Sequence, residues 1–134
     1  MNILRGERGS ASVLIVGLCL AIVIAVGFAV DGTRKGVAYS QATAIAEEAA
    51  RAGAQALRVR ALANGTDAAV EPAVAEAEAR RYIAKSGATG TAHADEHEVV
   101  VDTVVTRTTI FLGSLGIAEL TVHGHGAAVL VSAN

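Results

Sequence analysis

Cysteine, proline and aromatic residues are nearly missing from this chain. Its 134 residues include one Cys, one Pro, two Tyr, two Phe and no Trp. A lone Cys excludes a disulfide framework within the chain, and a zinc ribbon or finger lacks its thiolates. At 3% aromatic, the chain offers no stacking platform for single-stranded nucleic acid. The formal net charge of −2 supplies no basic field for a duplex either. Catalytic signatures are equally scarce. There is no G-x-S-x-G elbow, no phosphate-cradling glycine loop and no H-E-x-x-H pair. The expectation is a protein that is not an enzyme, with no cofactor, no small-molecule substrate and no nucleic-acid partner.

What the chain has in quantity is aliphatic surface: 52% of its residues are hydrophobic, largely Ala and Val. That surface is unevenly placed. Residues 11–30, ASVLIVGLCLAIVIAVGFAV, carry no charge, and their only polar side chains are Ser12 and Cys19. At about 1.5 Å per helical residue the run measures roughly 30 Å, the hydrocarbon thickness of a bilayer. The remaining residues are too few and too Ala-rich to wrap such a helix on every side. A cleaved signal peptide has a shorter apolar region, roughly 7–15 residues, and a small-x-small cleavage site. A lipoprotein site at Cys19 is disfavoured by Leu18 before it. The expectation is an uncleaved membrane helix over residues 10–30, after a basic leader over residues 1–9. Gly17, Ala21, Ala25 and Ala29 recur every fourth residue and form a strip along which another helix can approach closely. Charge gives little direction to the span, because Arg5, Glu7 and Arg8 before it balance like Asp31, Arg34 and Lys35 after it.

Beyond the run, residues 41–62 are rich in strong helix formers and lack Pro. Ile45, Ala49, Ala52, Ala56 and Val59 fall on one stripe at 3/4 spacing, and Glu47 and Arg51 form an i,i+4 pair. The membrane helix is therefore expected to continue, through a soft joint at Gly32–Gly36, to about Ala63, with Asn64-Gly65 as its stop. A second helix follows. Thr66 or Asp67 is its expected cap, Pro72 fits its first turn, Glu76 pairs with Arg80, Tyr82 and Ile83 anchor it, and Gly87 ends it. Residues 87–94 read as a loop. Residues 98–109, dense in Val and Thr, read as a strand with Val99, Val101 and Val105 on one face. Residues 119–131 read as a second strand with Leu120, Val122, Ala128 and Leu130 inward. Between them, Ile110, Phe111, Leu112 and Leu115 are too apolar for a solvated loop and suggest a short helical turn. The expected class is α+β: a long amino-terminal transmembrane helix continuing into a membrane-proximal helix, a second helix, then a small antiparallel β-sheet. Residues 31–134 form the expected extracytoplasmic domain.

This arrangement closely resembles TadE/TadG-like proteins of the tight-adherence (Flp) pilus systems, a branch of the type IV pilus and type II secretion machinery. The residues that carry the resemblance are Arg8-Gly9, the apolar run to Val30, Asp31-Gly32, Arg34, and the string Ala50-Arg51-Ala52-Gly53-Ala54. The tail VVVDTVVTRTTIFLGSLGIAELTVHGHGAAVLV is similar to the family's closing segment. The resemblance implies a minor pilin-like or assembly component in the cytoplasmic membrane, amino terminus inside and domain outside, whose partners are the membrane and other pilin-like or Tad proteins. It also implies a processing point between Gly9 and Ser10. Processed members carry a Glu five positions beyond the cut, where this chain has Leu14. In pilins that carboxylate pairs with a neighbour's new amino terminus, and its loss leaves a costly amine in the bilayer. The resemblance thus points to a member that stays anchored. Members with a large additional domain are longer than this chain.

Four histidines form the one remaining constellation. His93 and His97 flank Asp95 and Glu96, while His123 and His125 alternate on the last expected strand. Imidazoles brought together there would suit zinc or copper. The ordinary alternative is four solvated side chains, and the expectation is no metal. A tethered module that binds a metal or the cell wall is the alternative function.

Overall fold

The structure is a computed structural model that describes residues 7–64 and 71–129. The elements are α1 (Glu7–Asn64), α2 (Pro72–Lys85), β1 (Thr89–Ala94), β2 (Glu98–Thr108), a four-residue 3₁₀ turn (Leu112–Leu115) and β3 (Glu119–Val129). The class is α+β, as expected, with a sheet of order β1-β2-β3. The described residues divide into two compact units, one within 1–34 and 108–119, the other within 35–107 and 120–134.

Helix α1 is 58 residues long and has no break at Gly32–Gly36. The expected joint is absent. A helical Gly costs about 1 kcal/mol relative to Ala, which neighbouring helix formers offset, and no Pro removes a backbone hydrogen bond. The helix is described as far as Asn64, and Gly65 of the expected stop lies outside the described residues. Thr66 and Asp67 lie outside the described residues. The cap of α2 is instead Glu71, with no side-chain cap bond, and Pro72 opens the first turn as anticipated.

In the unit of residues 35–107 and 120–134, α1 lies against the sheet and α2. Its buried face is Ala38, Ala42, Ala46, Ala49, Ala50, Ala54 and Leu57. The stripe expected from periodicity is rotated away from this face: Ala49 is buried, but Val59 is 61% exposed. Alanine covers every side of this segment, so periodicity alone could not select the packed one. The packed face is the one that is smallest, because backbones must meet there. Close approach is visible at three places. A Cβ on Gly124 would collide with the Ala42 backbone, one on Gly126 with the backbone of Ala46, and one on Gly53 would lie 2.8 Å from the Ala75 carbonyl oxygen. Thr103 Oγ1 donates to the Ala42 carbonyl at 2.8 Å across the same contact.

The sheet's inner face follows period two. On β2 it comprises Val99, Val101, Thr103 and Val105, all buried. On β3 it comprises Leu120, Val122, Gly124, Gly126 and Ala128, so the two glycines complete the expected face; Leu130 lies outside the described residues. Strand β1 replaces the expected loop. It pairs antiparallel with β2 from Thr89↔Val104 to Ala94↔Val99, burying Ala92 and Ala94. Ala, Gly and Thr give this stretch little strand signal, and its pairing to a Val-rich neighbour overrides that weakness. Gly87, at φ +72°, takes the left-handed conformation that turns the chain from α2 into β1.

Helix α2 buries Ala75, Ala79 and Ile83. Of the two expected anchors only Ile83 is buried, since Tyr82 is 38% exposed. Arg80 bonds Glu76 Oε2 at 3.2 Å and the Ala92 carbonyl at 3.3 Å, while Glu76 Oε1 accepts the Ala94 N–H at 3.1 Å. These polar ties join α2 to the edge strand β1.

Replacing Gly126 by Val should destabilise the domain by about 1–3 kcal/mol, because the side chain must displace α1 backbone. Thermal unfolding of the full chain in detergent measures this. A wild-type midpoint would contradict the close packing of β3 on α1.

Candidate functional site

The unit of residues 1–34 and 108–119 contains the apolar half of α1 and the connection between β2 and β3. Along α1, Val13, Leu14, Ile15, Val16, Leu18 and Leu20 are all more than half exposed. An exposed run of this length and composition is sufficient to cross a membrane. Gly17, Ala21, Ala25 and Ala29 are exposed along it, and Cys19 is an exposed free thiol. Gly9 and Ser10 lie in the first turn of α1.

Asp31 lies at the end of this run and is 2% exposed. Its carboxylate accepts three backbone bonds: Ile110 N–H to Oδ1 at 3.0 Å, and Phe111 and Leu112 N–H to Oδ2 at 3.0 and 2.8 Å. An ionised carboxylate is an acceptor only, so three converging donors suit it. Although Asp31 is one of the charges that follow the apolar run, its carboxylate is turned inward to the connection. Arg34 reaches the Thr108 carbonyl at 3.4 Å.

The connection is held by further bonds of its own. Thr109 N–H donates to the Ala118 carbonyl at 3.0 Å, Ser114 N–H to Phe111 at 3.1 Å, Gly116 N–H to Gly113 at 3.2 Å and Ile117 N–H to Leu112 at 2.9 Å. Thr109 Oγ1 donates to the Ile117 carbonyl, and Ser114 Oγ to Phe111. Gly116, at φ +93°, ends the 3₁₀ turn in the left-handed region. Phe111 lies over Gly27, where a Cβ would collide with its ring, and meets Phe28 with ring centroids 6.3 Å apart. The expected short apolar turn is therefore real. What sequence reading missed is its tie to Asp31, and the available signal was an acidic residue directly after an apolar run.

The histidines are placed apart. His93 is on β1, while His123 and His125 are exposed on β3. Strand β2 lies between, so the two sets are separated by about 10 Å of sheet. His125 Nδ1 meets Asp102 Oδ1 at 2.9 Å, and His93 Nδ1 meets Glu76 Oε1 at 3.3 Å. His97 is in the β1–β2 hairpin turn. There Asp95 Oδ1 accepts the His97 and Glu98 N–H groups at 2.7 and 2.8 Å, as an Asx turn does. Those two bonds, that of His97 first, hold the Asp95 carboxyl below the ordinary range. Among the described residues no group of three or more His, Cys, Asp or Glu is placed to hold a metal ion. A groove lined by Gln41, Ile45, Ala88, Thr89, Val105 and Arg107 has Arg107 as its one charged lining residue, bonded to Gln41 Oε1 at 2.6 Å. That lining offers no acid–base pair.

Comparison with known proteins gives one family. Residues 9–56 match the Tad model, for Flp pilus-assembly TadE/G-like proteins. The match spans the apolar run, Asp31 and the Ala-rich part of α1. No curated protein and no solved structure gives a significant match.

The turn at Asp95 has a pH signature. A carboxyl whose folded pKa is lowered stabilises the folded hairpin above about pH 4, and loses that effect as pH falls through the lowered value. Hydrogen exchange should show the His97 and Glu98 amides protected at about pH 5 and losing that protection as the pH falls below the ordinary carboxylate range. Protection that fades instead between about pH 6 and 7 would assign the effect to histidine.

Proposed function

Because the chain is TadE/TadG-like over residues 9–56, and is thereby a protein related to Flp/Tad pilus assembly, we propose that it is a membrane-anchored minor pilin-like component of that apparatus. The observation that carries this reading is the single helix that unites the two halves of the matched segment. Its first half is exposed and apolar; its second half presents an Ala face to a small domain. A bilayer is the solvent that such a first half requires, since every backbone group is satisfied within the helix and its side chains are hydrocarbon. The span is residues 10–30, in the cytoplasmic membrane, with the amino terminus inside and residues 31–134 outside. This orientation comes from the family resemblance, since the flanking charges are balanced.

The role is structural. The Tad pilus-assembly family is non-enzymatic. In this reading Gly17, Ala21, Ala25 and Ala29 pack against helices of other pilin-like proteins, with association driven by close backbone approach. Leu14 stands where a processed pilin has its Glu, so the chain acts as an anchored assembly component and the bond between Gly9 and Ser10 stays intact.

Two measurements test the reading. Ala21→Leu combined with Ala25→Leu should sharply reduce co-purification with Tad components from membranes while leaving membrane insertion unchanged; undiminished co-purification would remove the packing role. Mass spectrometry of the protein from its native membrane should find the leader present. A mature start at Ser10 would make the chain a processed subunit and overturn its assignment as an uncleaved anchor.

A further inference from the structure

We propose that the connection Ile110–Ile117 is a second membrane contact, a loop inserted into the lipid of the outer leaflet beside the end of the spanning helix. The inference rests on the reading of residues 10–30 as a membrane span.

Depth is the first reason. Phe111 lies over Gly27 and against Phe28, and both belong to the charge-free run. Those positions are about one helical turn before Asp31, or roughly 5 Å toward the bilayer centre. A loop seated on them occupies the depth of the head-group and upper acyl region, where interfacial elements lie.

Surface chemistry is the second. Ile110, Leu115 and Ile117 are 61%, 63% and 51% exposed, and they are the loop's largest outward side chains. Residues 108–118 contain no charged side chain. In water such a loop would hold three aliphatic residues against solvent with nothing gained.

Backbone satisfaction is the third. Irregular backbone is expensive in lipid unless its polar groups are bonded. Here the N–H groups of residues 109, 110, 111, 112, 114, 116 and 117 all have acceptors, three of them on Asp31, and both loop hydroxyls, Thr109 and Ser114, bond back to carbonyls. Asp31 thus lets the loop leave water: it satisfies the donors that regular structure would otherwise satisfy, and fixes the loop to the helix. The Arg34 guanidinium, bonded at the Thr108 carbonyl, lies where it can also meet lipid phosphates.

The chain has no Trp, so one introduced indole reports alone. The full-length protein would be reconstituted in phosphatidylcholine–phosphatidylglycerol vesicles as Leu115→Trp and, separately, as Leu20→Trp within the span. Lipids brominated high on the acyl chain should quench Leu115→Trp and shift its emission to the blue, whereas lipids brominated near the chain end should quench Leu20→Trp more strongly. Adding Asp31→Ala to Leu115→Trp should abolish the first quenching while Leu20→Trp stays quenched in the same background. A quenched Leu20→Trp with an unquenched, red-shifted Leu115→Trp would overturn the loop contact and leave the span standing. Blue-shifted but unquenched emission at position 115 would assign the surface to a neighbouring protein and equally overturn it. If neither variant is quenched, the span and the loop contact both fail.

Discussion

The closeness of backbone to backbone between α1 and the elements packed on it governs the unit of residues 35–107 and 120–134. Gly124 and Gly126 lie directly against the backbone of Ala42 and Ala46, and Gly53 against that of Ala75. Side chains contribute little volume at these contacts, so the core is thin and depends on fit. Val99, Val101 and Thr103 are among its largest fully buried side chains. Thr103 belongs with them because its hydroxyl finds the Ala42 carbonyl. A buried hydroxyl without that acceptor would destabilise the same site.

The apolar unit obeys a different constraint. Its helix needs no partner to satisfy its backbone, but its connection does, and Asp31 supplies the acceptors. One carboxylate placed after the apolar run takes three N–H groups that neither helix nor sheet would pair. Phe111 and the missing side chain of Gly27 then let the connection lie against the helix. Polar satisfaction at Asp31 and steric allowance at Gly27 act on the same few residues, which links their sequence to the geometry of the loop.

Both constraints fit the proposed role as an anchored assembly component. A helix that is apolar on its outward faces, a small-residue strip and a domain with few large side chains are poor material for a self-contained catalytic cleft. In the proposed reading they suit a part that is held by a membrane and by neighbours. The match over residues 9–56 falls on the helix. The helix thus carries the family likeness, whereas the sheet lies outside the matched segment.

Much of the fold was legible in composition and order. The apolar run, the Ala-rich continuation, Pro72 at a helix start, the Glu76–Arg80 pair and the Val-rich strand β2 are local signals, set by length, propensity and spacing. The family resemblance could be drawn from the same features. Other features were settled by tertiary contact alone. Strand β1 exists because β2 pairs with it, since Gly, Ala and Thr have no strong preference of their own. The packed face of α1 depends on where backbone can approach backbone, which an all-round Ala pattern cannot reveal. The partners of Asp31 lie about eighty residues away in the chain, and no spacing rule connects them. The histidines, close in two pairs along the sequence, are parted by an intervening strand. Local physics determined which segments are helical, apolar or extended; only the folded chain decided which of their groups meet, because contact between distant residues is a property of packing.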